Sequence, residues 1–388
     1  MSATHLNQSD STNIRGYYSF TELKGLYYGP GSLATALPKF LDSLGGKKAL
    51  IITGKSLYTK TDVVKKVESV LTEYGAYGTT FYEIGEHAPV AGIRKCIQTM
   101  RDSGADMIIS VGGGSPIDAA KAVIYFLHKE HGGEILPHVA IPTTLSAAEY
   151  TTGAGFTDDD GNKVTVSDPR LAPAGIILDA ELTLTTPDRL WLSTGMRALD
   201  HAVENLYRPL VPPPVKVLCY QALADLFKYL PLSKAEPNNV VYRQKLQVAS
   251  WMSLWPTKYE KYSPVGLSHL LGHKLGARYH IPHGITSCLT LGPVVALKAE
   301  TASQEDKEWL AGALFHLRQP STGSVESDIL QLSKSINELV IDLGLKSNLV
   351  QYKVPKEGIP DIVERAMSGK DDPTFPRVVK LLEDIYEQ

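Results

Sequence analysis

Cysteine is scarce. The 388-residue chain has three, Cys96, Cys219 and Cys288, far apart and with no CxxC pair. That excludes a disulfide scaffold and a cysteine zinc site, and it predicts a reducing, cytoplasmic compartment. No apolar run approaches the roughly 18 consecutive residues that a membrane span needs. The opening stretch, residues 1–16, lacks the basic-then-apolar pattern of a secretory signal and reads as a disordered lead-in. An excess of one charge is also missing: 39 Lys and Arg stand against 42 Asp and Glu, a net of −3. Neither nucleic acid nor an anionic membrane is therefore expected as a partner. No internal repeat is present. What remains is 43% apolar and 21% charged residues, the mix of a globular protein that works on small molecules. At this length one core has usually stopped growing, so two domains are expected.

The first half alternates short apolar runs with helical patterns. Lys48–Thr53 is a β-branched run closed by Gly54, the pattern of a strand buried on both faces. Thr61–Tyr74 puts Val63, Val67, Val70, Leu71 and Tyr74 on one helical face, with Gly75 as the stop. Strands are expected at Thr79–Glu83, Met107–Val111, His138–Ile141 and Gly175–Leu178, with helices at Val90–Arg101 and Ser115–Leu127. Gly153–Val166, with Asp158-Asp-Asp-Gly-Asn162 at its centre, reads as a β-hairpin. This rhythm predicts a largely parallel sheet covered on both faces, an α/β domain over residues 17–187. Thr186-Pro187-Asp188 then reads as a helix start, with Thr186 as cap and Pro187 in the first turn. From residue 188 to 388 the patterns are mostly helical.

Two segments point to one crevice. Gly112-Gly113-Gly114-Ser115-Pro116-Ile117-Asp118 follows a strand and opens a helix, with Ser115 placed to cap and Asp118 where a capping-box acid reaches back. Three glycines let backbone N–H groups approach a ligand, and a helix N-terminus favours an anion. The run reads either as a pyrophosphate cradle or as a tight turn that happens to be glycine-rich. Thr143, Thr144 and Ser146 end the next strand, on the edge where open parallel sheets bind ligands. Farther back, Thr53-Gly54-Lys55-Ser56 carries no acid for an adenosine ribose. If Gly54 and Lys55 meet that ribose, NADPH is tolerated as well as NADH.

Five of the eleven histidines fall in two stretches, His201 in one and His269, His273, His280 and His283 in the other. His269 and His273 are four apart and share a helical face, about 6 Å along the axis. Imidazoles gathered from several segments ligate Fe(II) or Zn, or act as acids and bases. His280 reads as an ordinary core histidine; the other four read as one site.

Together the glycine run, Pro142-Thr143-Thr144, the His201 helix and the His269–His283 stretch resemble the iron-containing alcohol dehydrogenase family, in order, from Tyr28-Gly-Pro-Gly31 to Asp372–Arg377. The wording of Pro142–Tyr150 and of the chain's end is closest to the maleylacetate reductase branch. The resemblance implies a Rossmann-like N-terminal domain, a helical C-terminal domain and an active site between them, in the dehydroquinate synthase-like fold, as a homodimer. It implies that Gly112, Gly113, Gly114 and Ser115 hold the pyrophosphate of NADH or NADPH, that Thr143, Thr144 and Ser146 lie near the cofactor's two ends, and that Lys163 lies beside it. His201, His269 and His283 match the family's Fe or Zn ligands, and His273 a further histidine near the nicotinamide. The family's fourth ligand, an aspartate four residues before the first histidine, is Arg197 here. That replaces a compensating negative charge with a positive one in a poorly solvated cleft, so metal loss is expected. Asp200 cannot replace the missing acid, because it points about 100° around the helix from His201. The maleylacetate reductase branch is understood to work without metal. Arg197 then either grips a substrate carboxylate with its fork or pairs with an acid such as Glu204 or Glu149. The expected activity is hydride transfer to a small, carboxylated carbonyl compound or conjugated double bond. The alternatives are a metal-dependent alcohol or aldehyde dehydrogenase, and a non-redox or merely nucleotide-binding member of the fold.

Overall fold

The computed structural model describes residues 19–258, 263–367 and 369–387; the segment expected to be disordered, residues 1–16, lies outside them. Strands and helices alternate through the first half: β1 (Ser19–Phe20), β2 (Gly25–Tyr28), α1 (Leu33–Leu44), β3 (Ala49–Ile52), α2 (Lys55–Lys60), α3 (Val63–Glu73), β4 (Tyr77–Phe81), α4 (Val90–Ser103), β5 (Met107–Gly112), α5 (Gly114–His131) and β6 (His138–Pro142). A hairpin of β7 (Gly153–Thr157) and β8 (Lys163–Ser167) follows, then β9 (Gly175–Leu178). Six of these strands form one parallel sheet in the order β2-β9-β6-β5-β3-β4. β3 and β5 are apolar and wholly buried because helices cover both faces. Leu37, Val64, Val67 and Val111 pack on one side, and Ile93, Cys96, Ile108 and Val123 on the other. From β3 the chain runs outward to β4 and then returns to the other side as β5. The loops after β3 and β5 therefore diverge at a switch point on the carboxyl edge, where open parallel sheets bind ligands.

The second half is helical: α6 (Asp188–Tyr207), α7 (Pro213–Ala235), α8 (Val240–Ser253), α9 (Leu267–Tyr279) and α10 (His283–Thr301), with further helices to Asp384. They share a core that includes Leu199, Leu206, Leu223, Leu271 and Leu291. A short antiparallel pairing of β1 with β10 (Thr257–Lys258) ties the start of the described chain to this half. No helix among the described residues is long and apolar enough to cross a membrane.

Several expectations are corrected. β4 begins and ends two residues earlier than the apolar pattern suggested. Thr186 is not a cap and Pro187 precedes the helix: the Thr186 hydroxyl donates to the Thr143 carbonyl (2.8 Å), joining the end of β6 to the entrance of α6. That buried carbonyl needs a donor more than the solvated first turn of α6 does.

His138 opens β6 with its Nε2 2.8 Å from Ser110 Oγ and its Nδ1 without a partner. Burial, and then the neighbouring Lys121, push its pKa down to about 3. The unfolded chain takes up a proton here near pH 6.5, whereas the native state refuses it. Stability is therefore present above that pH and is lost as pH falls toward 3. Between pH 7 and 5 the loss from this one group is about 2 kcal/mol. His138→Gln is expected to flatten that limb of the stability–pH curve, as measured by urea unfolding at several pH values. An unchanged slope would contradict the assignment.

Candidate active site

The glycine run sits at the switch point. Gly112 has φ +135°, a conformation open to glycine but strained for other residues. A Cβ on Gly113 would meet the Thr144 side chain at 3.2 Å, and one on Gly114 would meet Ser146 Oγ at 3.3 Å. The Thr143–Ser146 turn thus packs directly on the run, with Thr143 N donating to Gly112 O (2.9 Å) and Thr144 Oγ1 3.0 Å from Ser146 Oγ. Helix α5 begins at Gly114 and no side chain caps it. Ser115 and Asp118 do not form the expected capping box. Ser115 Oγ instead accepts from His87 N (3.1 Å), and Asp118 Oδ2 from Gly155 N (3.2 Å). Both side chains are drawn away by neighbouring loops. Backbone N–H groups at an uncapped N-terminus, approached through glycine, fit a pyrophosphate. Gly54 and the exposed Lys55 start α2 on the same edge, one strand over.

Helix α5 also carries a buried lysine beneath this site. Lys121 Nζ donates to Ala148 O (2.6 Å), Thr151 Oγ1 (2.8 Å) and Gly153 O (2.9 Å), which pins the base of the β7–β8 hairpin. The hairpin projects Lys163 across to the helical half, where its Nζ is 2.7 Å from His283 Nε2. Burial lowers the Lys163 pKa to about 8, against the pull of Asp118.

The four histidines do come together. Ring centroids are 4.7 Å apart for His201 and His269, 6.3 Å for His269 and His273, and 5.8 Å for His273 and His283. Helices α6, α9 and α10 each contribute. Arg197 lies inside this row, 8% exposed. Its Nη2 is 3.4 Å from His273 Nε2, while Nη1 is 3.3 Å from Ser287 Oγ and 3.5 Å from Asp200 Oδ2. The side chain faces the histidines and is also ion-paired, but its acid is Asp200, three residues on, rather than Glu204 or Glu149. His280 is not a core residue: it ends α9 in a left-handed conformation and is exposed.

Asp200 and Glu204 were underestimated by sequence reasoning. Asp200 does point away from His201, yet that direction meets α9, and its Oδ2 lies 3.4 Å from His269 Nδ1. It also accepts from Ser287 Oγ (2.6 Å) and Ser268 Oγ (3.2 Å). Glu204 Oε2 is 2.7 Å from the same Nδ1, although neither carboxylate takes its N–H in line. Glu204 further accepts from the backbone of Gly266, Ser268 and His269 at 2.9, 2.8 and 3.3 Å, capping the helix that carries His269 and His273. Burial opposes charge on His269, but the two carboxylates outweigh both burial and the nearby Arg197 and hold its pKa above the ordinary value. Burial lowers His201, His273 and His283 well below the usual range; His269 and Arg197 add to this at His201, and Arg197 and Lys163 at the other two.

These facts test the family's metal set. His201 Nδ1, His269 Nε2 and His283 Nδ1 are buried without partners, as ligand nitrogens would be. Among the described residues, however, these three do not group within 4.8 Å of one another, and two cations stand among them, with Lys163 already on the other nitrogen of His283. A three-histidine ion site does not fit. Among the described residues, Asp200, Glu204 and His269 have donor atoms within 4.8 Å of one another, close enough for an ion. Asp200 Oδ2 and the Glu204 oxygens already accept hydrogen bonds, which an ion would have to displace, whereas Asp200 Oδ1 is buried without a partner, as a ligand oxygen would be.

A parallel-sheet half with a glycine turn at its switch point thus meets a helical half that carries the histidine cluster. The N-terminal part matches the family described as iron-containing alcohol dehydrogenase over residues 24–180, and the rest matches that family's C-terminal part over residues 191–386. The chain is 32% identical to maleylacetate reductase 2 of Cupriavidus pinatubonensis over 288 residues, 74% of this chain and 75% of that one. It is 29% identical to the NADPH-dependent butanol dehydrogenase of Clostridium saccharobutylicum over 95% of this chain and 97% of that one. Its fold matches the crystal structure of maleylacetate reductase from Agrobacterium tumefaciens with a TM-score of 0.79 at 23% identity, covering 96% of this chain and 98% of that one. The chain belongs to the iron-containing alcohol dehydrogenase family, near its maleylacetate reductase branch.

Proposed function

We propose that the protein is an NAD(P)H-dependent reductase of the maleylacetate reductase kind, acting on a small oxo acid without a metal ion. The observation that carries this reading is Arg197: a guanidinium beside His273, with the family's fourth metal ligand gone. A bound nicotinamide supplies hydride. The chain's own residues hold the acceptor, stabilise the growing oxyanion and deliver a proton. Gly112, Gly113, Gly114 and Ser115 bind the pyrophosphate, and Thr143, Thr144 and Ser146 flank the cofactor, with Gly54 and Lys55 tolerating a 2′-phosphate. Arg197 takes the substrate carboxylate through the donors left over from Ser287 and Asp200. His273 and His201 are neutral hydrogen-bonding groups around the carbonyl. Asp200 and Glu204 favour the charged form of His269. The Lys163–His283 pair is the proton source; Asp118 favours the charged lysine. The partner is thus a small carboxylated molecule, the compartment cytoplasmic and the assembly a homodimer.

Purified protein is expected to oxidise NADPH or NADH with maleylacetate at a rate that prolonged chelation leaves unchanged. Full loss with chelator, restored by Fe(II) or Zn(II), would instead support the second reading, an alcohol or aldehyde dehydrogenase whose ion sits at Asp200, Glu204 and His269.

A further inference from the structure

The turn after β4 holds two consecutive non-glycine residues in the left-handed region, His87 at φ 61° and Ala88 at φ 48°. Such a conformation is unfavourable for L-residues with a Cβ and persists only where the surroundings over-determine it, which happens most at functional sites. Here the surroundings are the cofactor loop and the hairpin. His87 N donates to Ser115 Oγ (3.1 Å), Thr157 Oγ1 donates to His87 O (3.3 Å), and Thr157 N donates to Ala88 O (3.4 Å). The result places the His87 ring edge-on against His283, with centroids 5.2 Å apart. The N-terminal half therefore reaches His283 twice, through Lys163 and through His87. Among the described residues no hydrogen bond is formed to the His87 ring; the nearest acid oxygen is Glu86 Oε1 at 3.9 Å, on a side chain 73% exposed. The His87 side chain keeps 21% exposure. It is a half-buried, uncommitted polar ring at the outer end of the histidine row, held there by a strained turn.

We propose that His87 is a specificity-determining residue: its ring N–H donates to a carboxylate of the substrate, beside His283. This rests on the oxo-acid reading above and extends it from one carboxylate contact to two, one from each half of the protein. A polar group built to meet a substrate carboxylate selects against compounds that lack it. Because the contact is made alike in the ground and transition states, it acts on KM rather than kcat.

The test compares maleylacetate with butanal, an uncharged carbonyl compound, in wild type, His87→Ala and His87→Gln. For His87→Ala, KM for maleylacetate is expected to rise roughly 10- to 100-fold, with kcat, KM for butanal and NADPH binding by fluorescence little changed. His87→Gln, which keeps an N–H donor, is expected to recover part of the loss. Should wild type prefer the acid and His87→Ala keep that preference, the inference fails alone. Equal losses on both substrates, or weakened NADPH binding, would make His87 a structural residue and also overturn it. A wild type with no preference for the acid would defeat the oxo-acid reading and this assignment with it.

Discussion

Arg197→Lys is expected to lower kcat/KM for maleylacetate by about 100-fold while leaving NADPH binding intact. Lysine keeps one of the two cationic side chains beside Asp200, the other being His269, so the buried carboxylate loses less than it would to alanine. It loses the planar fork, and the guanidinium makes three contacts at once here, to Ser287, Asp200 and His273. A single ammonium cannot hold that arrangement and still present a donor pair to a substrate. Truncating a buried charged contact costs about 2–5 kcal/mol, and each 1.4 kcal/mol is tenfold. The effect on an uncharged aldehyde is expected to be much smaller. Steady-state kinetics with both substrates, beside a thermal melt, make the comparison. Equal activity of Arg197→Lys on maleylacetate would remove Arg197 from substrate binding.

Gly284→Ala is expected to damage both stability and activity. A Cβ there would lie 2.3 Å from the Ser193 carbonyl oxygen and 2.5 Å from its carbon, backbone atoms of α6 that cannot rotate away. Helix α10 begins at His283, so its first turn must back off from α6 to admit the methyl. Overpacking of this kind costs about 3 kcal/mol. The displacement also carries His283 away from Lys163 and from the Arg197 face of α6. A misplacement of about 1 Å in a catalytic site is worth roughly 100-fold in rate. Gly92→Ala is the control. That glycine lies inside α4 with its nearest contact at 3.4 Å, and replacement should be neutral or stabilising by about 0.5–1 kcal/mol. If Gly284→Ala melted and turned over like wild type, α10 would not be registered by this contact.

How much was legible in the sequence differs between elements for physical reasons. The apolar runs at Lys48–Thr53 and Met107–Val111 announced buried strands because packing on both faces dominates them. His269 and His273 were readable as neighbours because a helix imposes its own period. Local rules failed where a long-range partner competed for the same atoms. Ser115 and Asp118 have the residue types of a capping box, but the turn at His87 and the strand at Gly155 claimed their oxygens. Thr186 was drawn to Thr143 in the same way. The helical wheel placed Asp200 correctly relative to His201, yet could not show that α9 packs on that flank and brings His269 to it. His87 went unnoticed, although its place just after β4 lay on the carboxyl edge where ligand-contacting loops were expected.

By itself the sequence determined the order of strands and helices, the glycine turn and the one-turn spacing of Arg197 and His201. These are properties of covalent order and of periods that repeat within a few residues. The folded chain alone decided which charges meet: Arg197 with Asp200, His269 between two carboxylates, Lys163 on His283. Those pairings join residues 3 to 120 positions apart, and only the packing of α6, α9, α10 and the hairpin against one another sets their distances, on which electrostatic energy depends most steeply in a buried site.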